Sequence, residues 1–492
     1  MIPLSHSVYT PAQVRELERR AIEQHGISGY ELMCRAGQAA FEAGLARFTQ
    51  ARHWLVLCGA GNNAGDGYVI ARLARAAGCE VTVVAVADPL GLKGDARAAF
   101  EDFRAAGGAA KAYDPVTCPA GDLIVDALLG TGLDRDLEGL YFEAVNGINL
   151  AGKPVLAVDI PSGINGLTGE IMGVAVRADI TVSFVGLKLG LFLSDGLNHV
   201  GELRFADLGI VRELSIDLLP ALQLCGPGDV KALLPLREAS AHKGKFGHVL
   251  AVGGNLGMGG AVSMAAEAAL RSGAGLVSVA TRQANTTAVL SGRPELMVRG
   301  VENSAELDGL ISRASVIALG PGLGRDEWAQ QCFGRVLRSS VRKVLDADAL
   351  NLLAEQPQRR NDWVLTPHPG EAARLLGVST GEVQADRLNA VLELQSRYGG
   401  AVVLKGHGTL VAGEQSLPFV VKAGNPGMAT AGMGDVLTGV IAGLLAQSSG
   451  LQMPAVVGAY IHACAGDLAA ADGQRGSIAT DLLPHIRKLV NP

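Results

Sequence analysis

Aromatic residues are scarce, only 4% of the 492-residue chain. The seven cysteines, at positions 34, 58, 79, 118, 225, 332 and 464, form no CxxC pair and are odd in number. That argues against a disulfide framework or a zinc site and fits a reducing cytosol. No apolar run reaches the roughly 20 residues a membrane span needs; the longest, such as Val436 to Ala446, fall short. The N-terminal MIPLSHSVYTPAQ has no basic segment leading into an apolar one, so no signal peptide is expected. Charge of one sign is missing too. The net charge is −6, with acids and bases interspersed, unlike the concentrated positive field of a nucleic-acid binder. Nor is the chain short of apolar side chains, at 48% hydrophobic against 18% charged, so it can offset its ordering entropy and is not disordered. What remains is the expectation of a soluble protein in the cytosol, with neither nucleic acid nor membrane as partner.

Glycine, by contrast, is abundant at 65 residues and has no collagen period. Such a distribution suggests many turns where backbone approaches something closely. The length predicts about two to four domains. Two stretches share one grammar. HWLVLC (53–58), VTVVAVA (81–87), DLIVDALLG (122–130), PVLAVDIPSG (154–163) and DITVSFVG (179–186) alternate with helix-like segments. After a lapse at 212–230, HVLAVGG, LVSVAT, SVIALG, KVLDAD, WVLTPH and AVVLKG do the same between 248 and 406. A helical tail then runs from Asp435 to about Val490, with breaks at Gly450–Pro454 and Gly473–Gly476. Near-continuous Val/Ile/Leu runs are the mark of parallel strands buried on both faces. The expected fold is therefore α/β, two tandem doubly wound domains at 1–219 and 223–492.

In the first half, Gly59-Ala-Gly-Asn-Asn-Ala-Gly-Asp-Gly67 joins a strand to a helix. Unpaired N–H groups and the helix dipole make such a turn an anion site. Gly59-x-Gly61-x-x-Ala64 meets the loose dinucleotide fingerprint, but the expected acid arrives late as Asp88, and no Walker lysine follows. Asn62, Asn63 and Asp66 exceed that pattern and point to a polar ligand or cation. The alternative for this loop alone is a glycine turn with Asn and Asp capping the helix. Asp126 and Asp159 stand at two further strand ends, where α/β sheets collect ligands; each alone could be a turn or cap residue.

In the second half, Gly432-Met-Gly434-Asp435 puts two glycines and a carboxylate at a helix start. The N–H groups could cradle a transferring phosphoryl group, and Asp435 could take the proton of an attacking hydroxyl. A glycine turn with an N-capping Asp is the alternative. Lys405-Gly-His-Gly-Thr409, Thr366-Pro-His-Pro-Gly-Glu371, Gly320-Pro-Gly-Leu-Gly324 and Gly253 to Gly260 also close strands. Converging glycine-rich strand ends suggest a nucleotide site. His368 alone would more often be structural.

GNNAGDG, DALLGTGLDRD and DIPSG, in that order, resemble the NAD(P)H-hydrate epimerase domain of the YjeF family over roughly residues 10–215. The resemblance implies that Asn62, Asn63, Ala64, Gly65 and Asp66, with Gly130, Thr131, Gly132, Leu133, Asp134, Arg135 and Asp136, hold the hydrated nucleotide. It also implies Asp159 beside the reacting ring as a catalytic residue, and a potassium ion on Asn63, Asp126 and Ser162. The family's loop usually reads GNNGGDG, whereas this chain has Ala64 in place of a glycine, a departure whose effect on the loop the sequence leaves open.

The second half resembles the ribokinase-like superfamily. Its HPGE, KGHGT and NPGMATAGMGD are similar to the ADP/ATP-dependent NAD(P)H-hydrate dehydratase domain over roughly residues 225–490. By that resemblance Asp435 is the catalytic base. Ala261, Gly322, His368 and Asp435 hold the hydrate. Lys405, Gly406, His407, Gly408, Thr409 and Gly434 hold ADP or ATP, with Mg2+. The order of the two halves resembles the bifunctional NAD(P)H-hydrate repair family. Its first domain interconverts R and S hydrates of NADH and NADPH. Its second phosphorylates the S hydrate and eliminates phosphate, a better leaving group than hydroxide. With 31 arginines to 11 lysines and much Ala and Gly, the sequence has a bacterial, GC-rich character, and the bacterial branch uses ADP. A homo-oligomer is expected. Three rivals stand beside this reading: a ribokinase-like small-molecule kinase, a non-catalytic nucleotide-binding YjeF-type module in the first half, and an ordinary dehydrogenase.

Overall fold

The computed structural model describes residues 4–116, 120–210, 212–215 and 217–491. Cys118 lies outside them; the six described cysteines are free thiols. The chain divides into two compact units, Met1–Gln223 and Leu224–Pro492.

The first unit is built on seven parallel strands: β1 (His53–Cys58), β2 (Glu80–Ala85), β3 (Ala110–Ala112), β4 (Leu123–Ala127), β5 (Val155–Val158), β6 (Ile180–Phe184) and β7 (Glu202–Ala206). They lie in the order β3-β2-β1-β4-β5-β6-β7. Side chains of a strand alternate between faces. Trp54, Val56 and Cys58 of β1 accordingly join one apolar cluster, and Leu55 and Leu57 join the other. Because both faces are covered, the strands read as continuous apolar runs. The sheet winds outward in both directions from β1 and β4, which opens a crevice at their carboxyl ends. A small ladder adds Ser7–Tyr9, paired parallel with Leu187–Lys188 and antiparallel with Leu222 and Gln223.

The second unit carries β8 (His248–Val252), β9 (Leu276–Thr281), β10 (Met297–Gly300), β11 (Val316–Leu319), β12 (Arg342–Leu345), β13 (Trp363–Leu365), β14 (Ala401–Leu404), β15 (Thr409–Ala412) and β16 (Phe419–Val421). Their order is β10-β9-β8-β11-β12-β13-β14-β15-β16, parallel as far as β14 and antiparallel beyond. The helix Met433–Gln447 is buried along most of its length, so it is apolar all round rather than amphipathic. Pro454 falls in the first turn of the helix Gln452–Ala469, where its missing N–H has no intrahelical partner to lose.

Eight strands go beyond the sequence reading: β3, β7, β10, β15, β16 and the three short ladder strands Ser7–Tyr9, Leu187–Lys188 and Leu222–Leu224. The first three are short or half-exposed, with Lys111, Arg204 and Arg299 breaking the apolar run. Strands β15 and β16 follow the KGHGT loop, where a helix-crossover grammar gives no cue for a hairpin. Among the described residues, no helix is long and apolar enough to cross a membrane.

Candidate functional site

In the first unit, the loop after β1 turns directly into the helix Asn62–Ala76. A side chain at Gly59 would put its Cβ 1.9 Å from the carbonyl oxygen of Leu128, so the two strand-end loops touch backbone to backbone only because residue 59 has none. Gly61 is the N-cap and makes no side-chain bond. Asn62 and Asn63 are thus the first helical residues, and the alternative of Asn as N-cap is not what forms. Asn62 is exposed, whereas Asn63 is buried and donates its Nδ2 to the Leu129 carbonyl at 3.0 Å.

Asp126, at the end of β4, is fully buried. Ser162 donates its backbone N–H to Asp126 Oδ2 at 2.8 Å and its hydroxyl to Oδ1 at 2.6 Å. Leu128 N also donates to Oδ1 at 3.3 Å, so the turn-capping role is real as well. Burial pushes the Asp126 carboxyl up to about 6, against the three hydrogen bonds. Leu129 ties the group together: its N–H donates to Ser162 Oγ at 2.9 Å, and its carbonyl accepts from Asn63. The fold therefore brings Asn63, Asp126 and Ser162 to one place. It adds the Leu129 carbonyl, which no side-chain motif could reveal.

Asp159 follows β5 at a left-handed φ of 70°. It forms an ion pair with Lys188, which is buried in the Leu187–Lys188 strand. Sequence reasoning passed over Lys188; one lysine among 11 carried no motif. Asp66, in the first turns of the helix, is driven well above the carboxylate range, first by burial and then by Asp159 and Glu18. The loop from Gly130 to Asp136 runs over the surface. Gly132, Asp134, Arg135 and Asp136 are exposed, and Leu133 packs back on the apolar cluster. The methyl of Ala64, where the loop departs from the family pattern, is fully buried in the apolar cluster that also holds Met33 and Ala96. Gly65 packs there too, its missing Cβ 2.4 Å from Met33 Sδ.

In the second unit, Lys405 leaves β14 and donates to Asp346 Oδ1 at 2.6 Å. The buried Thr438 hydroxyl donates to Asp346 Oδ2 at 2.8 Å. Glu371 stands 3.7 Å from the ammonium on its other side. Burial works against the Lys405 charge, yet Asp346 and Glu371 push it up overall. The same burial lifts Glu371 to about 7 and Asp435 to about 6, the latter helped by Asp346. Asp435 sits in the first turn of Met433–Gln447. A Cβ at Gly434 would lie 3.3 Å from Lys405 Nζ and 3.4 Å from Asp346 Oδ2, so these groups and Asp435 share one wall.

His368 is the N-cap of Pro369–Leu376, its Nδ1 accepting from Gly370 N at 3.0 Å. Its structural role is therefore present, and burial together with the charge of Lys405 lowers its pKa. Its exposed ring places Nε2 3.5 Å from Oε1 of Glu371, the acid beside Lys405. Gly322 and Ala261 adjoin: a Cβ at Gly322 would meet Ala261 Cβ at 3.2 Å. The KGHGT loop is clamped by Arg387, buried, which donates to the carbonyls of Leu404, Lys405 and Gly408. Thr409 Oγ1 donates to Gly406 O at 2.8 Å, and His407 is exposed. Asp346, Glu371, Thr438 and Arg387 were all missed in the sequence. Only Glu371, inside HPGE, lay in a quoted motif.

A family model described as NAD(P)H-hydrate dehydratase matches residues 249–488, and one described as YjeF-related protein N-terminus matches residues 29–190. The bifunctional NAD(P)H-hydrate repair enzyme of Coxiella burnetii is 50% identical over 486 residues, covering 99% of this chain and 99% of the relative. That of Escherichia coli is 44% identical over 497 residues, covering 100% of this chain and 95% of the relative. A ribokinase-like superfamily protein from Enterococcus faecalis superposes with a TM-score of 0.52 at 32% identity, covering 55% of this chain and 95% of its own.

Proposed function

The chain belongs to the bifunctional NAD(P)H-hydrate repair enzyme family, and on that premise we propose how its two units divide the work. The first unit interconverts the R and S hydrates of NADH and NADPH. The second dehydrates the S form to NAD(P)H at the expense of ADP or ATP, giving AMP or ADP and phosphate. The observation that carries this reading is the presence of two separate, complete polar clusters at strand ends, one per unit: Asn63–Asp126–Ser162 and Asp346–Lys405–Asp435.

In the second unit, Asp435 takes the proton from the hydrate's hydroxyl as that oxygen attacks the terminal phosphoryl group. Its carboxyl near 6 is ionised at neutral pH and still basic enough to accept it. Lys405 and the N–H groups at Gly434 offset the charge on the transferring phosphoryl oxygens. Loss of phosphate then restores the dihydropyridine. Gly406, His407, Gly408 and Thr409 border the adenine nucleotide on the loop held by Arg387, and Ala261, Gly322 and His368 border the hydrate. ADP is the favoured donor. Mg2+, held largely through substrate phosphates as is usual for this ion, would accompany the nucleotide.

In the first unit, Asn62 to Asp66 and Gly130 to Asp136 flank the nucleotide, and Asp159 faces the ring. Asn63, Asp126 and Ser162, with the Leu129 carbonyl, fit a potassium ion: one carboxylate and several neutral oxygens suit a hard monovalent cation. Bound there, the ion would offset the pyrophosphate charge. The protein acts in the cytoplasm as a homo-oligomer, without nucleic acid or membrane.

The test is direct. Purified protein receives mixed R and S hydrates with ADP or ATP, and recovery of reduced-nicotinamide absorbance is followed. Recovery from both epimers is expected. A stable phosphate ester with no absorbance regained would establish the small-molecule kinase instead.

A further inference from the structure

The ion pair at the first site rests on the epimerase reading and deepens it. Lys188 is 1% exposed. Its ammonium donates to Asp159 Oδ1, to the Phe184 carbonyl at 2.7 Å and to Ser183 Oγ at 3.3 Å. Phe184 N–H donates to the same Asp159 Oδ1 at 3.2 Å. Both contacts on Asp159 thus fall on one oxygen, Oδ1. The left-handed backbone at Asp159 is a conformation its surroundings must hold, as happens at working sites.

Two more carboxyls lie within electrostatic reach of this pair. Asp66 comes from the helix Asn62–Ala76 and Glu18 from the helix Pro11–His25. Burial drives both upward, Asp66 also through the charges of Asp159 and Glu18; Lys188 opposes this at both, and Arg15 opposes it at Glu18. Asp159 therefore has an ammonium as its partner, while burial and nearby negative charge push Asp66 toward its protonated form. An ammonium-bound carboxylate beside a carboxyl raised by burial is an arrangement that can serve as base and acid in one reaction.

We propose that Lys188 is a positioning residue of the epimerase site, fixing Asp159 as the base that takes the hydrate's hydroxyl proton while Asp66 is the acid that protonates the ring nitrogen. The hydrate is a cyclic hemiaminal, with hydroxyl and nitrogen on one carbon. Asp159 removes the O–H proton, and that O–H electron pair forms the C=O bond of an aldehyde. The C–N bond breaks, its electrons go to the nitrogen, and Asp66 supplies the proton there. Rotation about the adjoining C–C bond exposes the other face of the aldehyde. In the return step the nitrogen attacks, giving its proton back to Asp66, and Asp159 returns its proton to the oxygen. No oxidant or outside proton is consumed.

The experiment uses the full chain, with dehydration of the S hydrate as an internal control in the same molecule. Lys188→Met is expected to lower epimerisation kcat by on the order of 10²-fold, with KM within about twofold and dehydration intact. Lys188→Arg should recover a large part of that loss. Asp66→Asn should cost a similar factor and abolish the decline in wild-type rate at high pH, because an amide has no proton to lose. Epimerisation by Lys188→Met within about threefold of wild type overturns the proposal. So does a loss that appears wholly in KM, or an Asp66→Asn enzyme that works normally. Should Lys188→Met fail to fold, the Asp66→Asn result decides alone. Wild-type protein that never interconverts the hydrates would refute the epimerase reading itself, a different failure.

Discussion

Ser162 binds both oxygens of the buried Asp126 carboxylate, one through its backbone N–H at 2.8 Å and one through its hydroxyl at 2.6 Å. A loop after β5 and the end of β4 are fastened through a single acid. The geometry joins two motifs that lie 36 residues apart.

Asp126→Ala should uncouple epimerisation from potassium. In wild type, replacing K+ by a large organic cation is expected to slow epimerisation and lower Tm. A ligand at 100 times its Kd adds about 2.7 kcal/mol of stability, and that increment should be missing in the variant. Dehydration by the second unit should be unchanged. Measurement is by thermal unfolding and rate in the two salts. An identical response of variant and wild type to K+ would remove the ion from this site.

Asp435→Asn should abolish dehydration and spare epimerisation. The amide keeps the size of the side chain but accepts no proton, and loss of one acid–base group costs on the order of 10²–10⁴ in rate. In wild type the base must be ionised. Dehydration kcat/KM should therefore fall as pH drops through about 6 and level off above it. A flat profile down to pH about 5 would assign the base to another group.

Asp346→Asn should weaken the second site without a change of fold. Asp346 is 1% exposed and holds both Lys405 and Thr438. Removing its charge leaves the ammonium with the more distant carboxyls of Glu371 and Asp435, and breaking a buried pair on one side costs about 3–5 kcal/mol. Because Asp346 is also one of the charges raising Asp435, the acid limb of dehydration should move to lower pH. A Tm within a degree or so of wild type, with an unmoved limb, would contradict the role given to the pair.

The two activities should survive separation. A fragment ending at Gln223 keeps the pairing of Ser7 with Gln223 and of Val8 with Leu222, and should epimerise. A fragment from Leu224 onward should dehydrate only the S form. Ending the first fragment at Leu219 instead removes that pairing and should lower its Tm. Fragments that are insoluble apart and rescued only together would show interdependent units.

The sequence by itself determined the class of fold and the positions where chemistry sits. Continuous apolar runs such as HWLVLC can be buried on both faces only in a parallel sheet, and glycine with Asp or Asn at their ends marks where backbone must meet a ligand. That information is local, so it is legible along the chain. It also held the family pattern, because DIPSG and GMGD are short contiguous motifs. Tertiary structure decided the partners. Lys188 reads as an unremarkable residue after a strand until the ladder beside Ser7–Tyr9 buries it against Asp159. Asp346 ends a strand like several other acids, and only the parallel register of β12, β13 and β14 sets it against Lys405 and, by way of helix Met433–Gln447, Thr438. The Leu129 carbonyl and the buried face of Ala64 are set by backbone direction, which residue type does not encode. Ionisation follows the same division: a carboxyl's identity is in the sequence, but burial and neighbouring charge, which move Asp126 and Asp435 to about 6, exist only once distant segments have packed.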